Sequence, residues 1–160
     1  MDWPWIAVFG TITAAVVAWA IAEVCRSPTA WAAGALLAGL HSLAAFEAFY
    51  GWSHDIALEM TRRQTAALTG VDFSGGIYFN YALVALWALD AVRWWMADDG
   101  DESRSRPVSL AIRGFIFFMI VNGAVIFADG LARVIGALCV TAVVLAWASR
   151  APQFMRFIGR

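Results

Sequence analysis

Lysine is absent from this sequence of 160 residues: all eleven cations are arginine, and formal net charge is −1. With no basic tract and no charge excess, nothing here matches a nucleic-acid backbone, so nucleic acid is not an expected partner. Cysteine and histidine are each present only twice. Cys25 and Cys139 are expected at the inner end of one helix and near the middle of another, too far apart for the ~7 Å Cα separation a disulfide demands. No redox compartment follows from them. The two histidines fall in no HExxH or clustered-His pattern, there is no CxxC, and phosphate loops, nucleophile elbows and dinucleotide glycine patterns are missing. The sequence therefore leans away from an enzyme and names no reaction. Arginine without lysine, alongside abundant Ala and Gly, fits a GC-rich bacterial source.

What is present is apolar surface. Hydrophobic residues make up 62% of the chain and mean hydropathy is +0.70, against ~45–50% apolar residues in ordinary soluble domains. The expected fold is all-α, a polytopic helical bundle forming a single membrane domain over residues 1–160 in a bacterial inner membrane. A crossing helix needs roughly 20 apolar residues. Five spans are predicted: about 3–24, 29–50 with a helical extension to about 68, 77–96, 107–128 and 131–148. Arg26-Ser27-Pro28 ends the first, with Ser27 or Thr29 capping the second. GVDFSGG precedes the third, and Pro107 suits a helical first turn. Asp129-Gly130 marks a turn between the last two, although one long bent helix over 107–148 is the alternative. The N-terminus has no basic n-region and its apolar run is too long for a signal-peptide core, so it is read as the first span.

Arginine near span ends sets the orientation. Arg26, Arg93, Arg104, Arg106, Arg113, Arg150, Arg156 and Arg160 fall on one side, and only Arg62, Arg63 and Arg133 on the other. The N-terminus is then outside, the C-terminus inside, and residues 97–107 form a cytoplasmic loop. Trp3, Trp5, Trp31, Trp52, Trp94 and Trp95 sit near span ends, as an aromatic belt would.

Ionisable groups within a span are costly and mark candidate sites. His41 falls near midplane. At about 100° per residue Glu47, Tyr50 and His54 share one helical face, with His41, Asp55 and Glu59 on another. Tyr78, Asn80, Tyr81 and Asn122 lie at matching outer depth on later spans. Metal ligation would draw on Glu47, Tyr50, His54 and Glu59, since imidazole and carboxylate suit Zn, Cu or Fe. A cofactor would contact His41, Tyr78, Asn80, Tyr81 and Asn122. A haem held by both histidines requires them at one depth on facing helices. On one unbroken helix they would instead be about 20 Å apart, so only a break at Gly51 would bring them to one metal. Glu23 with Arg26, and Asp90 with Arg93, are read as local ion pairs, Glu47 as a partner for Arg133 or Arg62, and Asn80 and Asn122 as interhelical hydrogen-bond formers.

The leading expectation is a noncatalytic subunit or binding module with an outer-leaflet polar site around Glu47 and His54. Its expected partners are the lipid bilayer and other membrane subunits or further copies of itself. The competing expectation is a membrane redox protein in which His41 or His54 binds a metal ion or haem. A third is quinone or lipid-headgroup binding, with His and Tyr donating to a carbonyl and Trp stacking on a ring. Internal repeats of a transporter are absent.

Overall fold

A computed structural model describes residues 3–96 and 105–158, of which 106 and 151–158 are described in backbone only. Arg104, Arg160 and the loop at 97–104 lie outside the described residues, as do the side chains of Arg106 and Arg156. Among the described residues six α-helices follow one another: α1 Trp3–Cys25, α2 Pro28–Ala45, α3 His54–Thr69, α4 Gly76–Met96, α5 Arg106–Val121 and α6 Gly130–Ile158. Among the described residues there is no strand. Single π-helical turns at Phe46–Tyr50 and Asn122–Ile126 extend α2 and α5. Among the described residues four segments are long and apolar enough to cross a membrane: Trp3–Cys25, Pro28–Tyr50, Pro107–Ile126 and Gly130–Arg150. Helix α4, with Asn80, Asp90 and Arg93 in its 21 residues, is not among them.

Local chemistry explains the boundaries. Helix α1 closes with Ser27 N–H donating to the Ala22 carbonyl at 3.2 Å, Arg26 taking the left-handed position at φ 54°. Ser27 then caps α2, its hydroxyl accepting from Ala30 N–H at 3.2 Å with Pro28 in the first turn. This closure is the Schellman pattern, with arginine where glycine is usual. Between α5 and α6 the chain turns at Phe127–Asp129. Arg133 caps the end of α5, its Nε donating to the Ala128 carbonyl at 2.6 Å and its guanidinium meeting Asp129 at 3.0 Å. Residues 107–148 are thus two helices rather than one bent helix.

The helix predicted to continue to about residue 68 is present as α3, ending at Thr69, but it is interrupted at Gly51–Ser53. Gly51 and Trp52 both adopt left-handed backbone, at φ 52° and 59°, so α2 and its π turn end there. Ser53 restarts the chain as α3, its hydroxyl accepting from Ile56 N–H at 3.3 Å. The physical reason is the π turn: its wider ring leaves the Phe46 carbonyl to accept from Gly51 and Trp52 N–H, and that closure requires positive φ at both. Glycine adopts it freely, whereas a bulky residue there is strained by roughly 1–3 kcal/mol.

Helices α1 and α2 pack antiparallel, with His41 Nδ1 and the Val8 carbonyl 2.9 Å apart. Gly34 makes α2 thin enough to admit the Trp87 ring of α4: a Cβ there would lie 2.5 Å from Cζ2. Gly136 does the same for α6 against the second π turn, where a Cβ would collide with the Ala124 carbonyl. The largest fully buried side chains are Trp19, Trp31, Trp87, Ile116 and Val143. Around this core the outside is apolar, with Leu36, Leu89, Leu138 and Leu145 all exposed. Water would not tolerate so continuous an apolar surface, but hydrocarbon does.

Polar groups collect at the two ends of the bundle. One end, here the Glu23 end, gathers the C-termini of α1, α4 and α6 with the N-terminus of α2. The other, the His54 end, gathers the N-termini of α1, α3 and α4 with the first π turn. At the Glu23 end Glu23 is 3% exposed. Its carboxylate accepts from Trp147 Nε1 at 3.0 Å and lies 3.6 Å from the Arg113 guanidinium. Arg150 reaches back to the Glu23 and Val24 carbonyls at 2.9 and 2.5 Å, closing the end of α1. Glu23 is therefore an interhelical clasp, not the local partner of Arg26, which is exposed. Trp31, expected in an interfacial belt, is buried instead, packed between Trp87 and Trp94, and donates to Asp90 Oδ2 at 3.1 Å.

Candidate binding site at the His54 end

The break at Gly51–Ser53 decides where the polar groups of this end go. By restarting the helix at His54 it turns that imidazole towards α4, whose second turn carries Tyr78 and Tyr81 three residues apart on one face. His54 Nδ1 is 2.9 Å from Tyr81 Oη and Nε2 is 3.4 Å from Tyr78 Oη. The two phenols bracket the imidazole, each ring centroid 5.8 Å from it. All three rings are accessible, Tyr78 at 55% and Tyr81 half-buried.

The π turn supplies the other wall. Phe46 lies 6.2 Å from Tyr81 at an interplanar angle of 34°, 6.1 Å from Trp52 and 5.2 Å edge-on from Tyr50. Trp52 Nε1 donates to Glu47 Oε2 at 2.5 Å. That hydrogen bond helps to offset the left-handed backbone at Trp52. Neither Arg133 nor Arg62 neutralises Glu47. Arg133 is spent on the end of α5 and on Asp129, and Arg62 bridges Glu59 and Asp72 at 2.8 Å each.

The single face expected for Glu47, Tyr50 and His54 does not survive the break. Glu47 turns to Trp52, Tyr50 to Phe46 and Phe49, and His54 to α4. Glu59 lies farther along α3, clasped by Arg62 and by Arg63 at 2.7 Å. Those guanidinium hydrogen bonds hold its carboxyl at about 2, well below the usual carboxylate range. His41 hydrogen-bonds Val8 and joins no other site residue. Asn122 bonds back to the Phe118 carbonyl of its own helix at 2.8 Å, and Asn80 is exposed, so neither asparagine ties helices together.

Of the residues singled out in the sequence, the structure thus brings His54, Tyr78 and Tyr81 into contact, sets Tyr50 and Glu47 at the edge behind Phe46 and Trp52, and leaves His41, Glu59, Asn80 and Asn122 apart. Phe46 and Trp52 complete the site without having been singled out for it. The only signal for them was Gly51, a possible break whose consequence for ring placement depends on tertiary contacts.

The chemistry this set supports is hydrogen bonding against an aromatic wall. Opposite imidazole nitrogens face opposite phenols, so one metal ion cannot collect His54, Tyr78 and Tyr81 together. Among the described residues, no three His, Cys, Asp or Glu side chains come close enough to hold a metal ion. No family model matches this chain, and neither a characterised protein nor a solved structure matches it.

Proposed function

We propose that this chain is a five-pass protein of a bacterial cytoplasmic membrane that serves as a noncatalytic binding module or subunit. Its outward-facing polar site is centred on His54, Tyr78 and Tyr81, with Glu47 at its edge. The observation that carries this is the imidazole held between two phenols at an accessible helix end. Accessible groups of this kind have little part in packing and are available to a ligand.

Support for the fifth pass is topological. Helix α2 with its π turn ends at the His54 end and α5 begins at the Glu23 end, and α4 is the element that runs between them. Asp90 and Arg93 are tolerated in such a pass where they face protein rather than lipid, and Asp90 is 5% exposed. Support for the orientation is the arginine asymmetry, with Arg26, Arg93, Arg113 and Arg150 towards the Glu23 end. An odd number of passes sends the two termini to opposite sides.

The test uses one native and one introduced thiol in intact cells. In a Cys139→Ala background, Gln64→Cys on exposed α3 should react with an impermeant maleimide added outside, while Cys25 should react only after permeabilisation. The reverse pattern would overturn the orientation. An optical spectrum with haem bands, or near-stoichiometric Cu, Fe or Zn in the purified protein, would replace the binding-module assignment with a redox one.

A further inference from the structure

We infer that the Tyr81–His54–Tyr78 chain receives the head group of a membrane-dissolved quinone and of its hydroquinone alike. This rests on the outward polar-site reading above. The argument is one of proton counting. A neutral imidazole has one N–H and one lone pair, yet both its nitrogens face phenols. One phenol must therefore accept from the ring and the other must donate to it. The accepting phenol keeps its own hydrogen for an outside partner, and the donating phenol offers an outside partner only lone pairs. With the imidazole neutral, the chain presents a donor at one end and an acceptor at the other, and a change of tautomer exchanges the ends.

At Tyr81, beside the aromatic wall, this exchange fits a particular ligand chemistry. A carbonyl oxygen there is met by the Tyr81 hydroxyl, with His54 Nδ1–H donating to Tyr81 and Tyr78 donating to Nε2. A ligand hydroxyl at the same point is met by a Tyr81 lone pair, with the other tautomer. No side chain has to move between the two. Quinone and hydroquinone are the bilayer-soluble pair that present C=O and C–OH at one atom of a planar ring. Phe46, tilted 34° to Tyr81, and Trp52 beyond it offer that ring flat apolar partners. Phe79 and Leu86 on α4 are exposed, so apolar surface continues from this end along the helix.

Local charge favours a neutral head group over an anionic one. Glu47 on the π turn and Asp55 on α3 are the flanking acids, both exposed, and the Tyr50 phenol, near Tyr81, adds no positive charge. The α3 arginines are engaged with Glu59 and Asp72.

The experiment places the full chain in nanodiscs of phosphatidylcholine and titrates a decyl-tailed benzoquinone and, separately, its hydroquinone, reading tryptophan quenching and the infrared carbonyl band. Both forms should saturate near one equivalent, with the carbonyl band shifted down in the bound quinone. Tyr81→Phe keeps the ring and removes the hydroxyl, so it should weaken both forms about three- to tenfold, the loss of one hydrogen bond, and abolish the band shift. His54→Ala should weaken both forms too, while Glu59→Ala leaves them unchanged. No saturable binding, equal affinity in Tyr81→Phe, or binding of one redox form alone would overturn the inference. So would a phospholipid that copurifies with the wild type, is lost in Tyr81→Phe, and is not displaced by quinone. The thiol-labelling pattern is read separately in intact cells, and the metal content on the purified protein. Failure of quinone binding with Gln64→Cys still labelled from outside therefore removes the ligand assignment and leaves the outward site standing.

Discussion

The two polar ends of the bundle use similar side chains in opposite ways. At the Glu23 end a carboxylate, an indole and two guanidiniums are drawn from α1, α5 and α6 into a buried clasp. At the His54 end an imidazole and two phenols from α3 and α4 form an exposed chain, and the nearby carboxylate of Glu47 holds a tryptophan of its own segment. Buried polar groups must be satisfied internally, so the first end is bound to the bundle and removing any member leaves its neighbours stranded. Exposed groups can trade one partner for another at little cost, and that freedom is what a binding site needs.

Substitutions should separate the two ends sharply. The largest effect is expected at Glu23→Ala, which takes the acceptor from Trp147 and a carboxylate from Arg113. Stability in detergent should fall by about 3 kcal/mol, read as a drop in thermal midpoint, whereas a change of less than ~0.5 kcal/mol would show the clasp to be ornamental. Next comes Trp31→Phe, which keeps most of the ring but removes the donor to Asp90. About 1–2 kcal/mol should be lost, measurable in the same melts.

A third effect is local and depends on pH. The Glu59 carboxyl is held at about 2 in the folded chain against an ordinary value of 4.5. A depressed folded value means the stabilisation is present above pH 4.5 and is lost as pH falls towards 2. Amide-exchange protection in α3 should fall over that window while the Glu23 end stays protected, and Arg62→Ala should shrink the loss and complete it at higher pH. The smallest effects belong to the chain of rings. Tyr81→Phe and His54→Ala should change the thermal midpoint by no more than the equivalent of ~0.5 kcal/mol, so that any binding defect in them is separable from unfolding. A large loss of stability in Tyr81→Phe would erase the distinction between the ends.

Much of this contrast was legible in the residues, though not its assignment. Helix boundaries at Ser27-Pro28, Asp129-Gly130 and Gly76 follow from cap and turn chemistry, which acts over a few residues. Tyr78 and Tyr81 could be placed on one face because helical periodicity is local. Glu23 and Asp90 could not be read as buried, because a carboxylate three residues before an arginine looks like a surface pair unless the partner helices are known. The shared face of Glu47, Tyr50 and His54 failed for a related reason. It assumed an unbroken helix, and one π turn followed by two left-handed residues rotated everything beyond it.

Composition and periodicity alone therefore determined that this is a helical protein rich in apolar surface, with apolar runs of membrane-crossing length and polar groups gathered at their ends. Burial of apolar area depends on residue type, and helix formation on neighbours, so both can be read along the chain. Which polar groups are locked inside and which remain open was decided only by the tertiary structure. Hydrogen bonds such as Trp147 to Glu23, across 124 positions, or His54 to Tyr81, across 27, depend on how helices meet, and a single strained turn at Gly51-Trp52 redirects them.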